Sequence, residues 1–215
     1  MKKYILFILL SFASLCCAYA GSNFTYSTPD NYNYNSQETK SSGEKILFIL
    51  DLSNSMNERL GVRTKLDVAL STMKEILPLI PSATAVGLRV YGHRTGFTPR
   101  QSCTASQLVS PIVPNNSANI YSKLNSLSAV GWTPITYSLK QAVFFDLPDT
   151  TSKKRIILIS DGGENCDESP CDFIIELQKI RDDVRIDVIA LAIGDYDANN
   201  QLKCVALVTS GKFYN

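Results

Sequence analysis

Two apolar segments that each end in an aspartate most constrain how this 215-residue chain folds. KILFILD (45–51) and KRIILISD (154–161) are almost unbroken apolar runs, which is typical of strands covered on both faces. Helical and strand-like segments alternate along the rest of the chain, and this order predicts an α/β fold with a doubly wound parallel sheet and helices on both faces. The predicted helices are 63–77, 117–128, 135–147, 171–181 and 199–210, and the other strands are 84–92, 106–113, 185–194 and one starting at 211–215.

Small oxygen-bearing side chains follow the carboxyl ends of the two apolar strands. Asp51 is followed by Ser53 and Ser55, and Asp161 ends the second run. A loop between them places Thr133 before a proline that opens a helix. Ligands of such sheets bind in the crevice beyond the carboxyl ends of the strands. Hydroxyl and carboxylate oxygens suit Mg²⁺, with Mn²⁺ or Ca²⁺ as possible alternatives, and do not suit copper or zinc.

The order of these residues resembles a known family. D-x-S-x-S at the end of the first strand, T-P at a helix start and D-G after a later strand resemble the metal-ion-dependent adhesion site of the von Willebrand factor A-domain family. The resemblance covers residues 45–215 and implies one antiparallel edge strand, for which the proline-containing 106–113 is the candidate. Four further segments resemble a bacterial exported branch of the family: RVYGHR (89–94), GWTPITYSL (131–139), LISDGGENCDESPC (158–171) and LKCVALVTSGKFYN (202–215).

The resemblance also implies a role for each residue of the site. Ser53 and Ser55 are expected to bind the metal directly, and Thr133 directly or through water. Asp51 and Asp161 are expected to act mostly through bridging waters or through hydrogen bonds to the ligating hydroxyls. Two negative charges around a dication leave it able to accept one more carboxylate, which a protein partner would present. The alternative is that the serines only cap a helix or form turns.

Four residues are candidates for the rim of this site. His93 and Arg94 follow the second strand, so they form either a structural corner or a rim contact. Trp132 either packs under its loop or stands exposed, where an aromatic side chain can anchor a partner. Glu164 either tunes the charge near the metal or only belongs to a loop closed by a disulfide.

The N-terminal segment predicts export from a bacterial cell. Residues 1–20 have two lysines, an apolar stretch too short for a membrane anchor, and a small-x-small cleavage site, as in a signal peptide. Lipidation at Cys16 or Cys17 is the less favoured alternative, because Leu15 stands where a small residue is expected. Residues 21–44 are polar and predict a disordered linker. The mature chain is therefore expected in the periplasm or secreted, without a transmembrane segment.

Four cysteines remain after cleavage, and in an exported chain they indicate disulfides. Cys166 and Cys171 are near enough in sequence to pair, which would leave Cys103 for Cys204, but three pairings are possible. Zinc binding is less favoured, because no histidine lies nearby and C-x4-C is a poor zinc spacing.

The leading functional hypothesis is a non-enzymatic, metal-dependent binding module of the bacterial envelope. The formal net charge of +1 gives no electrostatic reason to expect nucleic acid. A metal-assisted hydrolase is the alternative, but no nucleophile and base pair is evident and no phosphate-binding loop occurs. A scaffold with a purely structural metal is a third hypothesis. Because the family usually continues into a closing helix, the chain is expected to be a fragment or to leave an edge for something else to cover.

Overall fold

The computed structural model describes residues 43–215, so the predicted signal peptide, lipidation site and most of the linker lie outside the described residues. The strands are β1 (Lys45–Asp51), β2 (Arg59–Leu60), β3 (Arg63–Thr64), β4 (Val86–Tyr91), β5 (Ser106–Val113), β6 (Lys154–Ser160), β7 (Val184–Ala190) and β8 (Phe213–Tyr214). The α-helices are α1 (Lys65–Ile76), α2 (Pro99–Ser102), α3 (Ser117–Leu124), α4 (Ile135–Gln141), α5 (Pro170–Gln178) and α6 (Tyr196–Val208).

Six strands form the central sheet in the order β5-β4-β1-β6-β7-β8. Every neighbouring pair is parallel except β4 and β5, which are antiparallel. This confirms the predicted fold class, including 106–113 as the antiparallel edge strand. β2 and β3 form a separate hairpin that was not predicted, because two-residue strands are too short to show periodicity.

The apolar core lies on both faces of the sheet. In β1, Leu47 and Ile49 point to the face covered by α4, α5 and α6, together with alternate residues of β6 and β7. Phe48 and Leu50 are equally buried, and because strand side chains alternate they face the opposite side, where α1 and α3 lie. None of the helices within residues 43–215 has the length and apolar character needed to cross a bilayer.

The helix boundaries follow local capping chemistry. Thr64 caps the start of α1: its side chain accepts a hydrogen bond from the backbone of Asp67, while the Asp67 carboxylate accepts one from the Thr64 backbone. The predicted helix 135–147 is correct in place, but after α4 it widens into a π turn, Ala142–Asp146. In this turn Asp146 accepts two hydrogen bonds, of 2.6 and 2.8 Å, from the buried Arg89.

The four cysteines within the described residues form two disulfides, and the pairing suggested by sequence proximity is wrong. Cys103 bonds to Cys166, and Cys171 bonds to Cys204, with Cα–Cα distances of 5.5 and 5.6 Å. Between Cys166 and Cys171 the chain passes through Asp167, which has a φ of 57°, and then enters α5 at Pro170. Cys171 therefore lies in the first turn of α5 against α6, whereas Cys166 remains in the preceding loop.

The strand order places a crevice at the ends of β1 and β6. From β1 the chain first builds β4 and β5 on one side, and then crosses to build β6, β7 and β8 on the other. The connections that follow β1 and β6 therefore diverge, which is the topological switch point where ligands of doubly wound sheets bind. Asp51 ends β1, and Asp161 comes directly after β6.

Candidate metal centre

Three loops meet beyond the carboxyl ends of β1 and β4. Ser53 pairs with Gly131 in an isolated parallel bridge, and the Asn54 N–H donates to the Gly131 carbonyl at 2.9 Å. Gly92 has a φ of 69°, and a Cβ there would lie 2.7 Å from the Ser53 nitrogen and 2.6 Å from the Trp132 carbonyl. Only glycine permits this approach, which holds the 131–134 loop against the end of β1.

A chain of hydrogen bonds joins the two serines to the second strand. The Ser53 and Ser55 hydroxyls share a hydrogen bond of 3.0 Å, and the Ser55 hydroxyl donates to Asp161 Oδ1 at 2.8 Å. These contacts link residues separated by 106 positions in sequence. We call Asp51, Ser53, Ser55, Thr133 and Asp161 the donor cluster.

Asp51 is fully buried among neutral donors. Its carboxylate accepts hydrogen bonds from the Ser53 backbone at 2.7 Å, the Tyr91 hydroxyl at 2.9 Å and the Ser160 hydroxyl at 2.6 Å. Burial raises the pKa of Asp51, although the hydrogen bonds from Ser160 and Ser53 act in the opposite direction. Burial also raises the pKa of Tyr91 well above its ordinary value, and the Asp51 charge adds to that shift. Tyr91 is therefore a donor to Asp51.

Asp161 has a different environment, because a lysine contacts it. Lys65 Nζ lies 2.8 Å from Asp161 Oδ2 and 2.7 Å from Glu58 Oε2. The Lys65 and Asp161 side chains are 9% and 0% exposed, so this ion pair is shielded from water. Burial opposes the charge on Lys65, but hydrogen bonds to Asp161 and Glu58 outweigh it and raise the pKa of the ammonium group.

The loop that carries Thr133 is held by the segment after Asp161. The buried Thr133 donates its N–H to Asn165 Oδ1 at 2.7 Å, and the Thr136 N–H donates to Glu164 Oε2 at 2.7 Å. Glu164 Oε1 also accepts from the Cys166 N–H at 3.0 Å. Glu164 therefore joins the two loops. Thr133 lies two residues beyond Gly131, the bridge partner of Ser53.

The other predicted rim residues lie around this centre. Trp132 is 39% exposed and so stands at the rim rather than under its loop. Arg94 is exposed, and His93 is half-buried. Within residues 43–215, His93 Nδ1 is buried without a hydrogen-bond partner. Burial, with a smaller contribution from the Arg94 charge, lowers the pKa of His93.

A cleft of about 520 Å³ opens beside the donor cluster. Ser55, Asp161 and Lys65 lie on its near side, and residues after β7 form the far side. The cleft gives ligands access to the partly exposed Ser55, whereas Ser53 and Thr133 are buried.

Sequence reasoning missed several residues of this centre. Tyr91 and Ser160 could have been found, because each ends a strand next to a predicted site residue. Lys65, Glu58 and Asn165 carried no such signal, because their contacts depend on the relative positions of distant loops.

The donor chemistry of this centre fits a hard divalent cation. Its central atoms are neutral hydroxyl oxygens. The Asp161 carboxylate accepts a hydrogen bond from the Ser55 hydroxyl, and the Asp51 carboxylate accepts one from the Ser53 backbone N–H. In the part of the chain that the structure describes, no three His, Cys, Asp or Glu side chains gather to hold a metal. An oxygen-based site with few charged ligands is the type that suits Mg²⁺ or Mn²⁺.

The family model of the von Willebrand factor type A domain matches residues 45–215. The chain belongs to this family. Domains of the von Willebrand factor A family are typically metal-dependent protein-interaction modules and are generally not enzymes. The uncharacterized Bacillus subtilis protein YwmD is 28% identical over 181 residues, covering 81% of this chain and 79% of the relative. The uncharacterized protein YwmC of the same organism is 30% identical over 175 residues, covering 79% and 75%.

Solved von Willebrand factor A domains share the fold. A structure of proximal thread matrix protein 1 from the mussel byssus, described as having a zinc-occupied MIDAS motif, has a TM-score of 0.60 at 20% identity and covers 80% of this chain. A von Willebrand factor type A protein from Catenulispora acidiphila gives the same TM-score, 0.60, identity, 20%, and coverage, 80%. This chain spans only 42% and 38% of those two solved chains.

Proposed function

We propose that this chain is a metal-dependent protein-binding module that uses Mg²⁺ to dock a carboxylate of a partner. The observation that carries the proposal is the hydrogen-bonded series Ser53–Ser55–Asp161 at the switch point of the sheet. It brings hydroxyl and carboxylate oxygens from distant segments to one place. A zinc-occupied MIDAS in a protein with the same fold supports a divalent metal at this place.

Each residue of the donor cluster has a defined task in this proposal. Ser53, Ser55 and Thr133 would hold the ion through their hydroxyl oxygens. Asp51 orients the Ser53 backbone by accepting a hydrogen bond from its N–H, and Asp161 accepts a hydrogen bond from the Ser55 hydroxyl. Both carboxylates would therefore act by positioning the two serines. The bound ion would supply an electrophilic centre for an incoming carboxylate. Trp132 stands exposed beside the cluster and would contact the partner next to the ion.

We place this module outside the cytoplasm, in the bacterial envelope or the secreted fraction, as an exported member of the family. The two disulfides support an oxidising compartment. We also propose that it binds rather than catalyses, because the only histidine lies at the rim and all four mature cysteines are bonded.

The test is a Mg²⁺ and Mn²⁺ titration by calorimetry, using the full chain after any cleavage by its host. We expect the wild-type chain to bind one ion and Ser53→Ala to lose at least about 10–100-fold in affinity, as for loss of a metal-supporting group. The exposed Ser122→Ala is the matched control and should bind as the wild type does. Absence of binding in the wild type contradicts the metal site, and unchanged affinity in Ser53→Ala contradicts its location.

A second experiment tests the binding role. Proteins recovered from the native envelope with the wild-type chain in Mg²⁺ should be lost in EDTA and with Ser53→Ala. The melting temperature of Ser53→Ala without metal should stay close to that of the wild type. If Ser53→Ala melts far lower but keeps its partner, the metal has a structural role and the chain is a scaffold.

A further inference from the structure

Lys65 contacts Asp161 of the donor cluster, although Lys65 itself is not among the predicted metal ligands. We propose that the Lys65 ammonium group is a built-in counter-cation that weakens binding of the metal alone and favours the metal together with a carboxylate. This inference rests on the proposed function. It identifies Lys65 as a residue that determines how strongly the site depends on its partner.

Both carboxylate oxygens of Asp161 accept a hydrogen bond. Oδ2 receives Lys65 Nζ at 2.8 Å, and Oδ1 receives the Ser55 hydroxyl at 2.8 Å. Lys65 is the first residue of α1, and it lines the same cleft as Ser55 and Asp161. Because both side chains of the ion pair are nearly inaccessible to water, this contact differs from a surface salt bridge of little consequence.

Among the buried groups, Asp51 and Asp161 give the donor cluster a formal charge of −2, and Lys65 reduces it to −1. Glu58 is left out of this sum because its side chain is 64% exposed and its charge is screened by solvent. The Asp51 donors described above are neutral, so Lys65 is the cation that contacts a carboxylate of the cluster. A dication bound there keeps a net charge of about +1, which one carboxylate neutralises.

Glu58 contacts the Lys65 ammonium group from the solvent side. Glu58 is 64% exposed as a side chain and accepts from Lys65 at 2.7 Å. It partly offsets the repulsion between the ammonium group and an incoming dication. Glu58 also offers the ammonium group a partner if the metal draws Asp161 toward itself.

The test compares Mn²⁺ affinities by electron paramagnetic resonance titration. Lys65→Gln keeps an N–H donor for Asp161 but removes the charge, so it should bind Mn²⁺ about tenfold more tightly than the wild type. Excess acetate, used as the carboxylate probe, should raise the Mn²⁺ affinity of the wild type more than that of Lys65→Gln, since coupling is reciprocal. Lys140→Met is the control, because Lys140 pairs with Glu168 at an exposed position away from the cluster.

Two further variants separate charge from positioning. Lys65→Met leaves Asp161 Oδ2 buried without the donor it has in the wild type, while Oδ1 keeps the Ser55 hydroxyl. A role limited to positioning Asp161 therefore predicts weaker binding in Lys65→Met and wild-type affinity in Lys65→Gln. Glu58→Gln changes an exposed residue and should weaken Mn²⁺ binding several-fold, so it tests the charge argument even if the Lys65 variants do not fold. Lys65→Gln or Glu58→Gln affinities equal to that of a wild type that binds Mn²⁺ overturn the inference. A wild type that binds no metal overturns the proposed function instead.

Discussion

The two ends of the central sheet stabilise buried charge in opposite ways. At the amino end of β6, the fully buried Lys154 lies 2.8 Å from Asp149 and 2.9 Å from Asp183. Asp183 also pairs with Arg181 at 2.7 Å. At the carboxyl end of β1, Asp51 is just as buried, but its described donors are two hydroxyls and a backbone N–H. One end neutralises its charges internally, and the other leaves a negative charge to be neutralised.

This difference separates stability from binding. A buried charge that already has an opposite charge as its partner is stabilised little further by an external ion. A buried carboxylate with only neutral donors is stabilised strongly when a cation binds beside it. The loops of the carboxyl end are joined covalently, because Cys103–Cys166 links the segment after β4 to the segment after β6. We therefore expect substitutions at the amino end to change stability alone, and substitutions at the carboxyl end to change metal binding.

The largest effect on stability is expected from the disulfides. The two residues of Cys103–Cys166 are 63 positions apart, and replacing both by serine should lower the free energy of unfolding by about 4 kcal/mol through loop-closure entropy. It should also weaken Mn²⁺ binding, because Cys166 adjoins Asn165, the acceptor for Thr133. Urea unfolding and Mn²⁺ titration measure the two effects.

The control for that variant is the other disulfide. Replacing Cys171 and Cys204 by serine should cost a similar free energy of unfolding, since the residues are 33 positions apart, but should leave the Mn²⁺ affinity of the folded protein unchanged. Equal losses of affinity in the two double variants would show that the site depends on overall stability rather than on the Cys103–Cys166 link.

Arg181→Met tests the amino end of the sheet. The Arg181 guanidinium donates to the carbonyls of Val143 and Leu147 as well as to the Asp183 carboxylate. Its loss leaves buried acceptors without donors, so the free energy of unfolding should fall by about 3 kcal/mol. Metal affinity of the folded fraction should match the wild type. The exposed Lys203→Met is the charge-matched control, and a change in Mn²⁺ affinity in Arg181→Met would contradict the separation of the two ends.

Acid should weaken the amino end of the sheet. The Arg181 hydrogen bonds, opposed by burial and helped by Lys154, lower the pKa of Asp183 from 3.8 to about 2. Lys154 and Lys45 likewise lower the pKa of Asp149. Because these values are depressed on folding, the stabilisation is complete above the unfolded pKa of 3.8 and is lost as the pH falls through about 2.

Urea unfolding at a series of pH values measures this loss. The Asp183 contribution is on the order of 2 kcal/mol, and Asp183→Asn should remove that part of the pH dependence at the same cost in stability above pH 3.8. An unchanged pH dependence in Asp183→Asn would assign the acid sensitivity to other carboxylates.

Periodicity predicted most of the fold because it reports which faces of an element are covered. The runs 45–51 and 154–161 are apolar at nearly every position since helices lie on both faces, and Pro111 is tolerated in β5 because that strand has a free edge. The same rule placed Asp51 and Asp161 at one edge of the sheet. Their role as part of a metal site stays a prediction.

Contacts between loops could not be read in this way. Cys166 and Cys171 are close in sequence, yet they bond to different partners. Lys65 lies inside the predicted amphipathic helix 63–77 with no sign of a special role, and its contact with Asp161 arises only where α1 meets the end of β6. Such pairings depend on how several crossovers pack together, which local sequence patterns do not encode.

The smallest effect on stability, with a large effect on binding, is expected from Asp51→Asn. Asparagine has the same shape and removes a buried charge whose donors within residues 43–215 are neutral, so the free energy of unfolding should change by less than about 1 kcal/mol. Mn²⁺ affinity should fall sharply, because the cluster loses the carboxylate that Lys65 does not neutralise. The same substitution at the other end, Asp183→Asn, should lower the free energy of unfolding by on the order of 2 kcal/mol and leave the Mn²⁺ affinity unchanged. If Asp51→Asn destabilises the chain as much as Asp183→Asn and leaves Mn²⁺ affinity unchanged, Asp51 is a structural anchor and the contrast between the two ends does not hold.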